Sequence, residues 1–259
     1  MSITIEKQRD LCIWTEAGVL NGKICDRGFR CEDCPLDTAL RDSDTSCQEE
    51  DPLLELQDLD VSLDMDLPEE ISDLLHPFSK LQICDELRYS RSHVWVRRLK
   101  NGKVKCGLDA FAAALLPVDA QLIVVANNTR VREGEHFGWV YGGSHTIPLS
   151  APISGTVSCR NTGLLASIES TRTSPYQKGC VVTMEPDVGA LADAQLVTPA
   201  AQARNIQQQV RELSQHIADA AALPDVGICL NDGGTQVKSL SNLFGEDAYW
   251  QLISRFVGG

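Results

Sequence analysis

The sequence predicts an α+β protein that is mainly β, with a small cysteine-rich region before the β part and helices after it. Short β-branched runs bounded by turn residues fill residues 81–187. Five cysteines fall within the first 47 residues, and apolar residues recur at three- and four-residue steps through 198–222. A chain of 259 residues can bury a real core, as one large domain or as two smaller ones.

These observations divide the chain into four zones. Residues 1–47 form a cysteine-rich head that is a candidate metal-binding region, and 48–80 form an acidic linker. Residues 81–187 form the β domain, and 188–259 a C-terminal helical extension. Between Gln48 and Leu75 there are many acids and no Lys or Arg, which favours a solvated linker. A tether for a basic partner is the alternative. The leucines that punctuate the segment also allow short helices that pack on a neighbouring element.

Local signals place elements within the β domain. Asn101-Gly102 predicts a hairpin turn between Leu99 and Val104. The runs that start at Gln121 and at Gly179 predict strands, and the alanine-rich stretch 108–116 predicts a helix.

Two helices are predicted in the C-terminal extension. The first begins with Thr198 as N-cap and Pro199 in its first turn. Its apolar stripe is formed by Ile206, Val210, Leu213 and Ile217. A last helix is predicted over 246–256.

Charge and hydropathy exclude several classes of partner. The net charge of -13 argues against nucleic acid, whose phosphates favour a basic protein surface, and against anionic membranes. No stretch approaches the roughly 20 apolar residues that cross a bilayer. The first residues contain no apolar run that would make a signal peptide, so we expect a cytoplasmic protein.

Several segments, in order and spacing, resemble the glycine cleavage system H protein. They are Ser92-His-Val-Trp-Val-Arg, Cys106-Gly-Leu-Asp-Ala-Phe, Glu133-Gly-Glu-His-Phe-Gly, Ser150-Ala-Pro-Ile-Ser-Gly, Pro175-Tyr-Gln-Lys-Gly and Asp247-Ala-Tyr-Trp-Gln-Leu-Ile. The resemblance covers residues 81–187 and the C-terminal tail. It implies a barrel-sandwich hybrid fold for the β domain.

In that family a hairpin presents a lysine that is amidated by lipoate, and the lipoyl arm shuttles an aminomethyl group between enzymes. The resemblance places Ser144 at the lysine position and Tyr141 where the family usually has an acid. The hairpin sequence contains no lysine, and the nearest in sequence, Lys105 and Lys178, belong to other strands. We therefore expect no lipoate on this chain.

A new catalytic pair at Ser144 and His145 is disfavoured. Adjacent residues of an extended strand point to opposite faces, and no orienting acid lies nearby in sequence. His145 and Tyr141 are expected to be contact or packing residues on an exposed tip, and His93 is expected to belong to the fold. The chain is therefore predicted not to be an enzyme.

Cys12, Cys25, Cys31 and Cys34 give the spacing C-x12-C-x5-C-x2-C. Four thiolates suit a closed tetrahedral zinc site, and such a site would help a head this small to fold. An iron–sulfur cluster and free or redox-active thiols remain alternatives. A short helix is expected directly after Cys34, with Trp14 and Phe29 as a miniature core. The six other cysteines are dispersed, and most are expected to be buried apolar side chains.

Taken together, these expectations describe a non-catalytic scaffold or interaction subunit. Its partner would be a protein: a larger enzyme complex, a signalling protein or a second copy of the chain. The alternative function is an iron–sulfur redox subunit of an electron-transfer complex.

Overall fold

The structure is a computed structural model that describes residues 11–16, 20, 23–41, 53–61, 69–221 and 239–258. Its strands are β1 (Leu56–Asp58), β2 (Gln82–Cys84), β3 (Arg88–Tyr89), β4 (Val94–Arg98), β5 (Val104–Leu108), β6 (Gln121–Val124), β7 (Arg130–Val131), β8 (His136–Gly142), β9 (His145–Ser150), β10 (Gly155–Arg160) and β11 (Cys180–Pro186). Its helices are α1 (Ile13–Glu16), α2 (Pro35–Arg41), α3 (Glu69–Ser79), α4 (Ala110–Leu115), α5 (Thr162–Ala166), α6 (Glu169–Thr173), α7 (Ala190–Asp193), α8 (Pro199–Ala221), α9 (Leu240–Phe244) and α10 (Glu246–Val257).

The strands form three antiparallel sheets. A six-stranded sheet has the order β3-β4-β5-β11-β10-β7, and a three-stranded sheet has the order β6-β8-β9. The third sheet is the pair of β1 and β2. Buried side chains of both larger sheets belong to one hydrophobic cluster, which also includes residues of α3, α4, α8 and α10. This sandwich-like arrangement with C-terminal helices confirms the predicted α+β class.

The local predictions in the β domain are confirmed. β4 and β5 form the expected hairpin, whose turn places Gly102 at φ +84°, in the left-handed region that glycine tolerates. Asp109 caps α4 because its carboxylate accepts a hydrogen bond from the Ala112 backbone N–H at 3.0 Å.

The long C-terminal helix is α8, and it begins at Pro199 as predicted. The Thr198 hydroxyl caps it by accepting from the Ala201 N–H at 3.3 Å. Its apolar stripe is fully buried, and each such side chain contributes about 1.5–3 kcal/mol relative to exposure. α10 confirms the predicted last helix. Among the described residues, no helix is long and apolar enough to cross a membrane.

The acidic segment 48–80 packs on the domain in both parts that the structure describes. Leu54 and Leu59 flank β1, which pairs with β2, and both side chains are buried. Leu75 and Phe78 of α3 are almost completely buried in the main core. The prediction of a solvated linker is therefore wrong for these residues. The alternative of a helix that packs on a neighbouring element is correct for α3, whose apolar side chains enter the main core.

A buried polar network ties α8 to the β domain. His93 Nδ1 lies 2.8 Å from Asp109 Oδ2, and the Gln202 side-chain amide donates to the same oxygen at 2.8 Å. All three side chains are buried. Because a buried carboxylate needs partners, this network fixes the relative positions of β4, α4 and α8. His93 belongs to the fold, as predicted.

All four tyrosines of the chain have raised pKa values, and burial is the main cause for each. The Tyr249 hydroxyl donates to the Leu115 carbonyl at 2.6 Å, and burial raises its pKa to about 12. The Tyr176 hydroxyl donates to the Gln82 carbonyl at 2.7 Å. The folded chain therefore retains tyrosine protons that the unfolded chain releases near pH 10.

We expect stability to fall steeply in alkali. Because the tyrosine pKa values are raised in the folded chain, the free energy of unfolding is unaffected below pH 10 and falls as the pH rises toward the folded-state values. Each tyrosine contributes about 1.4 kcal/mol per pH unit to this fall. Urea titrations between pH 9 and about pH 12 measure this slope. Tyr249→Phe should reduce the slope by the contribution of one tyrosine, about 1.4 kcal/mol per pH unit. An unchanged free energy of unfolding across this range would contradict the assignment.

Candidate functional site

The hairpin of β8 and β9 ends in a two-residue turn. The strands stay in register as far as Gly142 opposite His145, so Gly143 and Ser144 form the turn, here called the hairpin tip. Gly143 has φ +56°, a conformation that favours glycine in such turns. Both tip residues are exposed. The structure thus places Ser144 at the end of the hairpin, as the sequence predicted.

α10 covers the inner face of this hairpin. The imidazole of His145 stacks on the Trp250 indole, with ring centroids 5.6 Å apart and planes inclined by 5°. His145 Nε2 lies 2.9 Å from Asp247 Oδ1. A Cβ atom at Gly142 would lie 2.5 Å from Trp250 Cζ2. Gly142 therefore allows the indole to approach the strand closely.

The outer face of the same hairpin is covered by the head. Tyr141 and Ile123 of the sheet form a buried cluster with Cys12 and Leu20 of the head. The cluster is extended by partly buried side chains of both parts, namely Ile13, Trp14, Leu36, Leu40 and Trp139. Tyr141 is only 3% exposed. Its predicted packing role is confirmed, but its predicted place on an exposed tip is wrong, because the head lies over it.

A cavity of about 500 Å³ lies between the head and the outer face, and Ser144 lines it. Its other lining residues include Leu20, Lys23, Arg27, His136, Trp139 and Thr146. The Thr146 hydroxyl oxygen is buried and has no hydrogen-bond partner within the described part of the chain. The cavity therefore combines an apolar wall with basic and hydroxyl groups.

Lys23 is a feature of this cavity that sequence reasoning missed. The head brings its amine to the same cavity as Ser144, although the two residues are far apart in the chain. The side chain is 13% exposed, and Nζ pairs with Asp26 Oδ2 at 3.3 Å. No sequence signal links Lys23 to the hairpin, because their proximity depends on how the head docks.

The four predicted metal ligands come together in the head. Cys12, Cys25, Cys31 and Cys34 all line one small cavity of about 20 Å³. The Phe29 backbone N–H donates to Cys25 Sγ at 3.2 Å. Within the described ranges, however, no three Cys, His, Asp or Glu side chains are grouped closely enough to hold a metal ion.

The environment of the Cys31 thiol reflects its neighbours. Its pKa is raised first by burial, then by the negative charge of Asp37. The three other head thiols raise it further, in the order Cys34, Cys12 and Cys25. The four sulfurs are therefore electrostatic neighbours.

Other predictions for the head and for the cysteines have mixed outcomes. α2 begins directly after Cys34, as expected, and Trp14 Nε1–H donates to Asp37 Oδ1 at 2.8 Å. Phe29 is 46% exposed, so its predicted core role is wrong: it lies in a turn with φ +61°. Burial of the cysteine side chain is confirmed at Cys84, Cys106 and Cys180. Cys159 instead is disulfide-bonded, and Cys47 and Cys229 lie outside the described residues.

Comparison with known proteins decides the family. The sequence model described as Glycine cleavage H-protein matches residues 87–209. The glycine cleavage system H protein of Anaeromyxobacter sp. (strain K) is 35% identical over 118 residues, which is 44% of this chain and 91% of that protein. This chain belongs to the glycine cleavage H-protein family. The H protein of Mycobacterium leprae (strain Br4923) is 34% identical over 113 residues, or 43% of this chain and 86% of that protein.

A solved H-protein structure is also similar. The crystal structure of the glycine cleavage system H protein from Mycobacterium marinum aligns with a TM-score of 0.42 and 23% identity. The alignment covers 47% of this chain and 96% of that one.

Within this H-protein-family domain, Ser144 and His145 serve different sides of the hairpin. Ser144 lines the outer cavity, whereas His145 packs on α10 at the inner face. Their predicted opposite orientation is confirmed. No acid lies near His145 in the sequence, as noted above, but α10 brings Asp247 to the imidazole ring in the folded chain. This pair faces away from the serine and does not make a serine–histidine–acid arrangement.

We expect the stacked imidazole to stabilise the docking of α10. His145→Ala should lower the free energy of unfolding by about 1 kcal/mol, since it removes an aromatic contact at a partly buried position. Asp247→Asn should have a smaller effect, because the Asp247 side chain is 88% exposed and solvent screens the pair. Denaturant titrations measure both, with His136→Ala as the control at an exposed histidine of β8. Equal losses for His145→Ala and Asp247→Asn would refute the dominance of stacking.

Proposed function

We propose that this chain is an H-protein-family subunit that does not carry lipoate, catalyses no reaction and acts by binding a protein partner. The observation on which the proposal rests is the hairpin tip, where Ser144 occupies the exposed position at the end of β8 and β9. The resemblance assigns this position to the lipoyl-lysine of the family.

The chemistry of the acceptor supports this proposal. Lipoate is attached through an amide, which requires a primary amine, and the Ser144 hydroxyl cannot form one. Lys23 lines the cavity beside the tip, but it is largely buried and paired with Asp26.

The surroundings of the tip support it as well. A Cβ atom at Gly143 would lie 2.6 Å from Glu246 Oε1, so α10 begins directly beside the turn. Tyr141, where the family usually has an acid, is buried under the head. A lipoate-attaching enzyme would therefore meet a different surface on both sides of the tip.

We expect the purified chain to lack lipoate even after co-expression with a lipoate–protein ligase. Intact-mass spectrometry should show the unmodified mass, while an H protein of the same family, treated alike, gains the mass of one lipoyl group. Ser144→Lys supplies an amine at the tip. Lipoylation of this variant would show that the wild-type chain lacks only the acceptor. A lipoyl adduct on any residue of the wild-type chain, Lys23 included, would overturn the proposal.

The exposed rim of the tip is acidic, which indicates the chemistry of a partner. Glu246 and Asp247, the first residues of α10, are exposed beside Gly143 and Ser144. The whole chain is acidic too, with a net charge of -13. Such a surface favours a partner with a basic face and speeds their encounter at low salt. The relatives are named as proteins of a glycine cleavage system, which supports a protein partner for this chain.

Native purification of the tagged chain from its source cells is expected to recover a partner protein at low salt and to lose it as salt rises. Glu246→Lys should reduce recovery of that partner several-fold, because it reverses a charge at the rim. Asp73→Lys on α3 makes the same charge change at an exposed position outside the tip and should leave recovery unchanged. Elution of the wild-type chain alone at low salt would count against a partner-binding role.

A further inference from the structure

We propose that Cys12, Cys25, Cys31 and Cys34 bind one zinc ion, and that this centre holds the head against the outer face of the three-stranded sheet. The proposal concerns the head alone and does not depend on whether the chain carries lipoate.

Three separate segments supply the sulfurs. Cys12 directly precedes α1, Cys25 follows the short bridge between Leu11 and Ile24, and Cys31 and Cys34 lie just before α2. All four nevertheless line one cavity. Segments that are separate in the chain meet only through tertiary folding. The shared cavity is therefore evidence for a common site that is independent of the cysteine spacing.

The backbone around the sulfurs suits metal ligands. The Phe29 N–H donates to Cys25 Sγ at 3.2 Å, and the Cys34 N–H donates to the Cys31 carbonyl at 3.0 Å. Gly28 and Phe29 both have positive φ, which turns the chain sharply between Cys25 and Cys31. The first of these bonds is made to a sulfur, and hydrogen bonds to a ligand atom orient that ligand and tune a metal centre.

Size and charge favour a single ion. The cavity that the four cysteines line measures about 20 Å³, a small space that suits one ion. Zinc with four thiolates has a net charge of about −2. Three basic residues line the same cavity and offset that negative charge, namely Lys23, Arg27 and Arg30. Two acids, Asp26 and Asp37, line it as well and act in the opposite sense.

Zinc binding would require the four sulfurs to move closer together, because among the described residues no three of them are grouped at ligand spacing. Each thiol gives its proton to solvent as its sulfur joins the metal. The helices of the head are short, four residues in α1 and seven in α2, so they bury little core of their own. A metal centre supplies the folding energy that such a small unit lacks.

Cys12 connects the centre to the sheet. It belongs to the set of four sulfurs and also to the buried cluster with Tyr141 and Ile123. Leu36, near the start of α2, lines the sulfur cavity and packs on the same cluster. Ordering the sulfurs around an ion therefore orders the surface that the head places on β6 and β8.

Metal analysis of the full-length chain, purified without chelators, tests the site. Wild-type protein should contain about one zinc ion per chain, and cobalt substitution should give the visible absorption of tetrahedral sulfur coordination. Cys31→Ser and Cys34→Ser should each weaken zinc binding by more than about tenfold. Substitution of a residue that only supports a metal ligand already weakens binding by about that factor, and loss of a ligand should cost more. Cys180→Ala, at a buried cysteine of β11, should leave the zinc content unchanged. Absence of bound zinc, or a brown protein with iron and acid-labile sulfide, would overturn the assignment.

Hydrogen exchange tests the docking role on the wild-type chain, which avoids variants that fail to fold. Removing the metal with a chelator should increase amide exchange in peptides of β6 and β8, and added zinc should reverse the increase. Peptides of β4 and β5, in the other sheet, should not change. Unaltered exchange in β6 and β8 after verified loss of the metal would overturn the docking role.

Discussion

The alternation of side chains along the β8–β9 hairpin determines how this molecule is assembled. Neighbouring residues of a strand face opposite sides, so one hairpin presents two separate surfaces. Gly142 and His145 receive α10 on the inner face, and Tyr141 receives the head on the outer face. A shift of one residue in register would exchange these faces and remove both contacts, so the turn at Gly143 and Ser144 has to be tight.

The parts outside the family match thus meet at the segment that the family uses to present its lysine. α10 places acids beside the tip, and the head encloses a cavity next to it. Because both contacts bury aromatic side chains, the hairpin is held in the body of the protein up to its last residues. A tip held in this way is suited to a fixed recognition surface, which agrees with the proposed binding role.

Sequence reasoning succeeded where the signal was local. The turn at Gly102, the cap at Thr198 and the apolar stripe of α8 each follow from a few neighbouring residues. It failed where distant segments meet. The burial of Tyr141 and the approach of Asp247 to His145 depend on tertiary packing that no periodicity encodes. The cysteine spacing predicted that four thiols act together, but the sheet on which they sit was visible only in the structure.

Helix α8 extends beyond the region that matches the family. The family match stops at residue 209, inside a helix that continues to Ala221. Val210, Leu213 and Ile217 lie beyond that point and are completely buried, as is Phe78 of α3 on the other side of the match. A fragment trimmed to the matched residues would expose this apolar surface to water and invite aggregation. The region that matches the family is therefore smaller than the region that builds the hydrophobic core of this chain.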